Sequence, residues 1–141
     1  MKWPCEAGGT LPSVALGIDA IREYLGRENV AAPHVIEGGL EWLVVRWRRT
    51  ATRADSGEQH WVWEDWVNDL DTRNIIEKLL DHVPESRCAL PEIQETDARF
   101  RNATVESDHC QWGQPNAEKH GWTPEKEWWY WRKPSAPFLT F

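Results

Sequence analysis

The sequence predicts an α+β domain: an antiparallel sheet of about four strands with two helices packed on one face, in the order α-β-β-α-β-β. Three observations predict this fold. The chain has 141 residues, the usual size of one domain. Two segments carry apolar residues at helical spacing, and four others alternate or are rich in tryptophan and β-branched residues, as strands are. Eleven tryptophans supply the large apolar surface that a core needs.

The first helix is predicted over residues 14–28, where Val14, Ile18, Ile21 and Leu25 recur on one helical face. The second helix is predicted to start at a capping Asp69 or Asp71 and to run to about His82, because Pro84 cannot continue it. Its apolar stripe consists of four residues: Ile75, Ile76, Leu79 and Leu80.

Between these helices, residues 40–50 and 58–67 are predicted to form a hairpin around the turn signal Ser56-Gly57. Pairing Thr50 with Glu58 places most of the apolar residues on one face, which is the register that the hydrophobic pattern favours. Three tryptophans are expected in the core on that face: Trp47, Trp61 and Trp63.

The remaining strands are predicted over residues 97–106 and 126–133. The second of these strands is aromatic on both sides, which indicates a central or doubly covered strand. The polar segment 107–125 between them is long enough to predict a functional or mobile loop. One domain is expected over residues 1–141, with residues 1–12 and 134–141 as peripheral tails.

Several features indicate a cytoplasmic protein. No run of 18 apolar residues occurs, so no transmembrane helix and no membrane partner are expected. The first ten residues lack the apolar core of a secretory signal. The odd count of three cysteines, Cys5, Cys88 and Cys110, is typical of reduced thiols.

The motifs give little support to catalysis. Cys88, His109, Cys110 and His120 are residue types that bind zinc, but their spacing is poor, so no metal and no cofactor are expected. The chain contains neither a Gly-x-Ser-x-Gly motif nor a glycine-rich phosphate loop. No catalytic residue is therefore assigned, and a binding protein is favoured over an enzyme.

The net charge of −7 is concentrated in residues 55–85, which hold nine acidic residues against Arg73 and Lys78. A basic patch of four arginines within residues 46–53 lies directly before this segment. Two interpretations stay open: a solvated acidic helix paired with a basic strand, or a negative surface that steers a basic partner. Direct binding of nucleic acid is not expected of an acidic domain.

The leading functional hypothesis is a small acidic binding protein that inhibits or neutralises a basic protein, a toxin or a nuclease, in the manner of an immunity protein or a phage inhibitor. Acidic side chains and exposed aromatic rings would form the docking face. The predicted partner-binding residues are Trp42, Glu64, Asp65, Trp66, Asp69 and Asp71.

The alternative is a ligand-binding domain or small enzyme with a tryptophan-lined pocket for a sugar or an anionic small molecule. The residues predicted for this pocket are Arg99, Arg101, Trp112, Trp122, Trp128 and Tyr130. A deep enclosed pocket would favour this alternative, whereas a flat acidic face with exposed indoles would favour the partner-binding hypothesis. The oligomeric state is left open.

Overall fold

The computed structural model describes residues 20–27, 33–56 and 61–139. These residues are 73% helical and form five α-helices and a two-stranded antiparallel sheet. The predicted α+β fold with a four-stranded sheet is therefore wrong. Residues 1–19, which include the predicted tail 1–12, lie outside the described residues.

The described elements follow one another with short connections. The α-helices are α1 (residues 20–27), α2 (Pro33–Asp55), α3 (Trp63–His82), α4 (Leu90–Ala103) and α5 (Gln114–His120). Two 3₁₀ helices cover Pro84–Ala89 and Trp128–Trp131. Strand β1 (Val105–Glu106) pairs antiparallel with β2 (Arg132–Lys133), with Val105 opposite Lys133.

The first predicted strand lies inside α2. Its buried residues recur with the three- and four-residue spacing of one helical face: Leu40, Leu43, Val44, Trp47 and Ala51. The same residues also satisfy a strand prediction, because tryptophan and valine favour strands. Burial of the helical stripe between α3 and α4 overrides that local preference.

Residues 63–67 of the second predicted strand are helical, since α3 begins at Trp63, earlier than Asp69. Residues 58–60 of that strand lie outside the described residues. The end of α3 at His82 agrees with the prediction. Trp61 is buried as predicted, whereas Trp63 is 36% exposed, so its assignment to the core is wrong. The predicted turn residue Gly57 lies outside the described residues.

Of the segment predicted as the third strand, residues 97–103 form the second half of α4, and Val105 and Glu106 form strand β1. Ile93, Thr96 and Phe100 are buried at helical spacing, and α4 packs on α2. Pro91 lies in the first turn of α4, where a missing N–H is tolerated, so α4 already begins before the segment predicted as a strand.

The predicted strand at 126–133 is a 3₁₀ helix followed by β2. Trp129 and Tyr130 are buried, whereas Trp128 and Trp131 are half-buried. Residues 107–133, which follow β1 and end with β2, contain the short helix α5 and one 3₁₀ helix and otherwise little regular structure. Indole N–H groups attach this irregular segment to α3: Trp63 donates to the Gln111 carbonyl at 2.9 Å and Trp66 to the Arg132 carbonyl at 3.1 Å.

The predicted C-terminal tail contacts the core over its described part. Phe138 packs against the ring of Trp66, with centroids 6.4 Å apart. The Leu139 N–H donates to the Trp61 carbonyl at 2.9 Å, and Leu139 forms a parallel bridge with Val62.

A buried ionic network joins α2, α3 and α4. The guanidinium of Arg73 donates to both carboxylate oxygens of Asp97 at 2.9 Å, and it donates to Glu77 at 3.0 Å. The indole N–H of Trp47 donates to Asp97 at 2.9 Å. These bonds compensate for the burial of charge, and they fix the relative positions of the three helices.

Two further findings bear on the cellular setting. None of the described helices is long and apolar enough to cross a membrane. Cys110 is a buried free thiol.

Candidate functional site

A groove of about 770 Å³ runs along the C-terminal half of α3. Helix α3 supplies one wall with Asp71, Asn74, Ile75 and Lys78, which recur at helical spacing and therefore lie on one face. The irregular segment 107–133 supplies the other wall. Its main contributions are Trp112, Asn116, His120, Trp122, Lys126 and Tyr130.

Asp71 is the polar centre of this groove. The Tyr130 hydroxyl and the Trp112 indole N–H both donate to its Oδ1 atom, at 2.6 Å and 2.9 Å. No described residue donates a hydrogen bond to Oδ2, so that oxygen is the one able to bind a ligand. Burial raises the pKa of the Asp71 carboxyl, although the bonds from Tyr130 and Trp112 oppose the increase.

Aromatic rings form one side of the groove. Trp122 stacks on Tyr130 with centroids 4.1 Å apart, and His120 stacks on Trp122 at 4.5 Å. The order of the stack is therefore His120, Trp122, Tyr130, and both faces of the Trp122 ring are covered. Trp112 is held edge-on by Trp63 at 5.3 Å. A ligand would meet the outer face of His120 and the edges of the indoles.

The lining of the groove carries more negative than positive charge. Asp71, Glu77, Asp81 and Glu127 face it together with two lysines, Lys78 and Lys126. Lys126 is paired with Asp81 at 3.1 Å. Because like charges repel across a low-dielectric cavity, this lining disfavours an anionic ligand.

The residues predicted for the ligand pocket are brought together only in part. Trp112, Trp122 and Tyr130 line the groove. The other three do not: the Arg101 guanidinium lies 3.9 Å from the ring centroid of Trp128, and Arg99 donates to Thr52 at 3.4 Å.

The residues predicted for partner binding do not form one face. Trp66 is fully buried in the core, and Asp71 lies in the groove. Asp69 lies on the opposite side of α3, because two residues along a helix differ in direction by about 200°. There it binds Arg46 at 3.1 Å.

The other three predicted partner-binding residues lie nearer to solvent. Trp42 is half-buried on α2, with the Arg46 guanidinium 5.4 Å from its ring centroid. Glu64 and Asp65 are exposed in the first turn of α3. Acidic residues also stabilise that position through the helix dipole, so their exposure has a structural explanation as well.

Sequence reasoning did not identify the residues of α3 that line one wall of the groove. Asn74, Ile75 and Lys78 follow Asp71 at intervals of three and four residues, inside the helix that the sequence predicted. Asn116 and Lys126 carried no comparable signal, because Asn116 lies in the segment predicted as a loop and Lys126 begins the segment predicted as a strand.

Two other arrangements resemble catalytic sites but lack the required geometry. The Ser107 hydroxyl and the Asp108 carboxylate both lie near the same His109 nitrogen, Nδ1, at 3.3 Å and 2.8 Å. A catalytic triad needs its serine and its acid on different ring nitrogens. Within residues 20–27, 33–56 and 61–139, no group of three or more histidine, cysteine or acidic residues could hold a metal ion.

Comparison with protein-family models, with curated proteins and with solved structures finds no match for the chain. Function is therefore argued from the geometry and charge of the site itself.

Asp71→Asn should reduce the dependence of the free energy of unfolding on pH in the acidic range. A carboxyl whose pKa is raised on folding binds protons more tightly in the folded state. Wild-type stability should therefore fall as pH rises from about 4, the unfolded value, through the raised pKa of Asp71. The asparagine variant keeps the oxygen that accepts from Trp112 and Tyr130 and lacks this loss. Urea unfolding between pH 3 and pH 7 measures the difference between the two proteins.

Asp108→Asn is the control for this measurement. The hydrogen bond with His109 lowers the pKa of Asp108, so the wild type should gain stability over this variant as pH rises. The free energy of unfolding of the wild type minus that of the variant should fall with pH for Asp71→Asn and rise with pH for Asp108→Asn. If both differences changed with pH in the same direction, the assignment at Asp71 would be contradicted.

Proposed function

We propose that the groove binds a neutral polyhydroxylated small molecule, of which a sugar is the simplest example. The observation that carries this proposal is the convergence of Trp112 and Tyr130 on Oδ1 of Asp71, which leaves Oδ2 without a donor among the described residues. Binding sites for small molecules typically combine aromatic walls with a few fixed polar groups. A carboxylate held in one orientation is such a group.

The rest of the lining supports a ligand with many hydroxyl groups. Asn74 and Asn116 each offer a donor and an acceptor, Lys78 offers donors, and Glu127 offers acceptors. Hydroxyl groups donate and accept, so they match a mixed lining. The excess of carboxylates supports a neutral ligand over the anionic one that the sequence also allowed.

NMR titration tests this proposal directly, because indole N–H signals are resolved from the backbone amides. Neutral mono- and disaccharides should shift the Trp112 and Trp122 indole signals in a saturable way, and the signal of the buried Trp47 should stay in place. His120→Ala should weaken binding roughly tenfold, since the outer face of its exposed ring meets the ligand and a stacking contact contributes about 1–3 kcal/mol. Trp42→Ala, outside the groove, should leave the affinity unchanged.

Two charged probes complete the experiment. Glucuronate should bind more weakly than glucose because it brings a carboxylate to an acidic lining. Choline tests whether the groove prefers a cation. If choline bound saturably and no sugar did, the ligand class would be a cation and not a neutral sugar. If glucose, glucuronate and choline all left the indole signals unchanged, the groove would be excluded as the ligand site.

A protein partner is the second candidate function, and one observation favours it. Trp63 is 36% exposed, more than any other tryptophan among the described residues, and it is followed by the exposed Glu64 and Asp65. Exposed aromatic rings beside charged groups are typical of binding hot spots. In this second candidate function, the partner is the basic protein predicted from the sequence, such as a toxin or nuclease.

Charge reversal tests the second candidate. A basic partner captured by the wild type should associate more slowly with Glu64→Lys and with Asp65→Lys. Its association rate should also fall between 0.1 M and 1 M salt, where the Debye length shrinks from about 10 Å to about 3 Å. A partner whose association is unaffected by these reversals and by salt would exclude this surface.

A cytoplasmic location is proposed on the sequence alone. A disulfide at Cys88 would instead indicate an oxidising compartment, because disulfides are rare in the cytosol. Thiol alkylation of the denatured, unreduced protein from its native source, followed by mass measurement of the peptide that contains Cys88, separates the two locations. A modified Cys88 would support the cytoplasm, and a protected Cys88 would exclude it.

A further inference from the structure

A second cavity, of about 330 Å³, lies between α2 and α3, on a different face of α3 from the groove. Its lining is polar throughout. The lining residues are Arg46, Arg49, Thr50 and Arg53 from α2 and Asp65, Asn68 and Asp69 from α3. Ligand pockets are usually lined mainly by apolar and aromatic groups, so this cavity selects a ligand through charge and hydrogen bonds.

The three arginines lie on one face of α2, because their positions are three, four and seven residues apart. Each has a different environment. Arg46 binds Asp69 at 3.1 Å, and the Arg53 guanidinium lies 3.9 Å from the ring centroid of Trp61. Arg49 is exposed and forms no hydrogen bond or ion pair with any described residue.

Three arginines and two aspartates leave the cavity with an excess of one positive charge, in a chain whose net charge is −7. Like charges three and four residues apart on a helix are mutually destabilising. Bound oxyanions relieve that repulsion. Guanidinium groups bind phosphate and carboxylate through paired N–H donors.

We propose that this cavity binds the phosphate group of a small soluble molecule, with Arg49 and Arg53 as the principal ligands. The Asn68 amide adds a neutral donor on the opposite wall. Phosphate is favoured over carboxylate because its three terminal oxygens match donors arriving from both helices. The volume exceeds that of a phosphate ion, so it accommodates part of the attached molecule. This site is independent of the sugar groove.

Calorimetric titration with inorganic phosphate and with pyrophosphate, at a constant ionic strength of about 0.1 M, tests the proposal. Both anions should bind saturably, and acetate should bind at least tenfold more weakly. Arg49→Gln should weaken phosphate binding roughly tenfold by removing charge-assisted hydrogen bonds. The variant should fold normally, because Arg49 is exposed.

Arg48→Gln is the matched control. Arg48 neighbours Arg49 on α2 but binds Glu92 of α4 at 2.7 Å, so its loss should leave the phosphate affinity within about twofold. The proposal is overturned if neither anion binds saturably, if acetate binds as tightly as phosphate, or if Arg49→Gln and Arg48→Gln bind phosphate equally well. Arg53→Gln gives a second test once circular dichroism shows that it is folded.

Discussion

Trp66→Ala should destabilise the protein by about 3–5 kcal/mol, a large part of the stability of one domain. Trp66 is fully buried, and its ring contacts Trp61 at 4.8 Å and Phe100 at 5.6 Å between centroids. Its removal opens a cavity between α3, α4 and the chain preceding α3, and it leaves the Arg132 carbonyl without the indole donor. Urea unfolding monitored by circular dichroism measures the loss.

Trp63→Ala is the matched control, three residues earlier on the same helix. Trp63 is 36% exposed, so its replacement removes less apolar surface from the folded state and should cost less than half as much. Equal losses for the two variants would mean that Trp66 is not at the centre of the core.

Asp97→Ala should have an effect of similar size, about 3–5 kcal/mol, for an electrostatic reason. The Asp97 carboxylate binds Arg73, whose side chain is only 6% exposed, and accepts the indole N–H of Trp47. The substitution leaves a buried guanidinium with Glu77 as its remaining partner. Thermal and urea unfolding would both report the loss.

The surface pair between Arg48 and Glu92 provides the comparison. Its side chains are 38% and 21% exposed, and Glu92→Gln should cost at most about 1 kcal/mol. If Asp97→Ala costs no more than Glu92→Gln, the network around Arg73 does not hold the three helices together.

The fold could be predicted only where local signals agreed with packing. Pro84 marks the end of α3 because proline cannot continue a helix, and tertiary contacts do not alter that limit. The start of α3 was missed because Trp61, Trp63 and Val67 favour strands by propensity. The buried residues of the first turns, Trp66, Val67 and Leu70, instead recur at helical spacing. Tryptophan made this ambiguity severe, since it fills a core equally well from a helix or a strand.

The candidate site, like the fold, could be predicted only in part from the sequence. The aromatic density beside the long polar segment is a local signal, and it was enough to indicate Trp112, Trp122 and Tyr130. The position of Asp71 beneath them depends on how the irregular segment folds back on α3. No local pattern encodes that long-range contact, which is why sequence reasoning places Asp71 on a docking face instead.

The indole bonds between α3 and the segment 107–133 have a consequence for local unfolding. Trp63 and Trp66 of α3 donate to carbonyls of the segment, and Trp112 of the segment donates to Asp71 of α3. These bonds link side chains to the opposite element, so their rupture leaves the backbone ladder of α3 intact. We therefore expect amide exchange to be faster in the segment, which has little regular structure, than in the helical backbone of α3. Ligand held by both walls would slow exchange in the segment first.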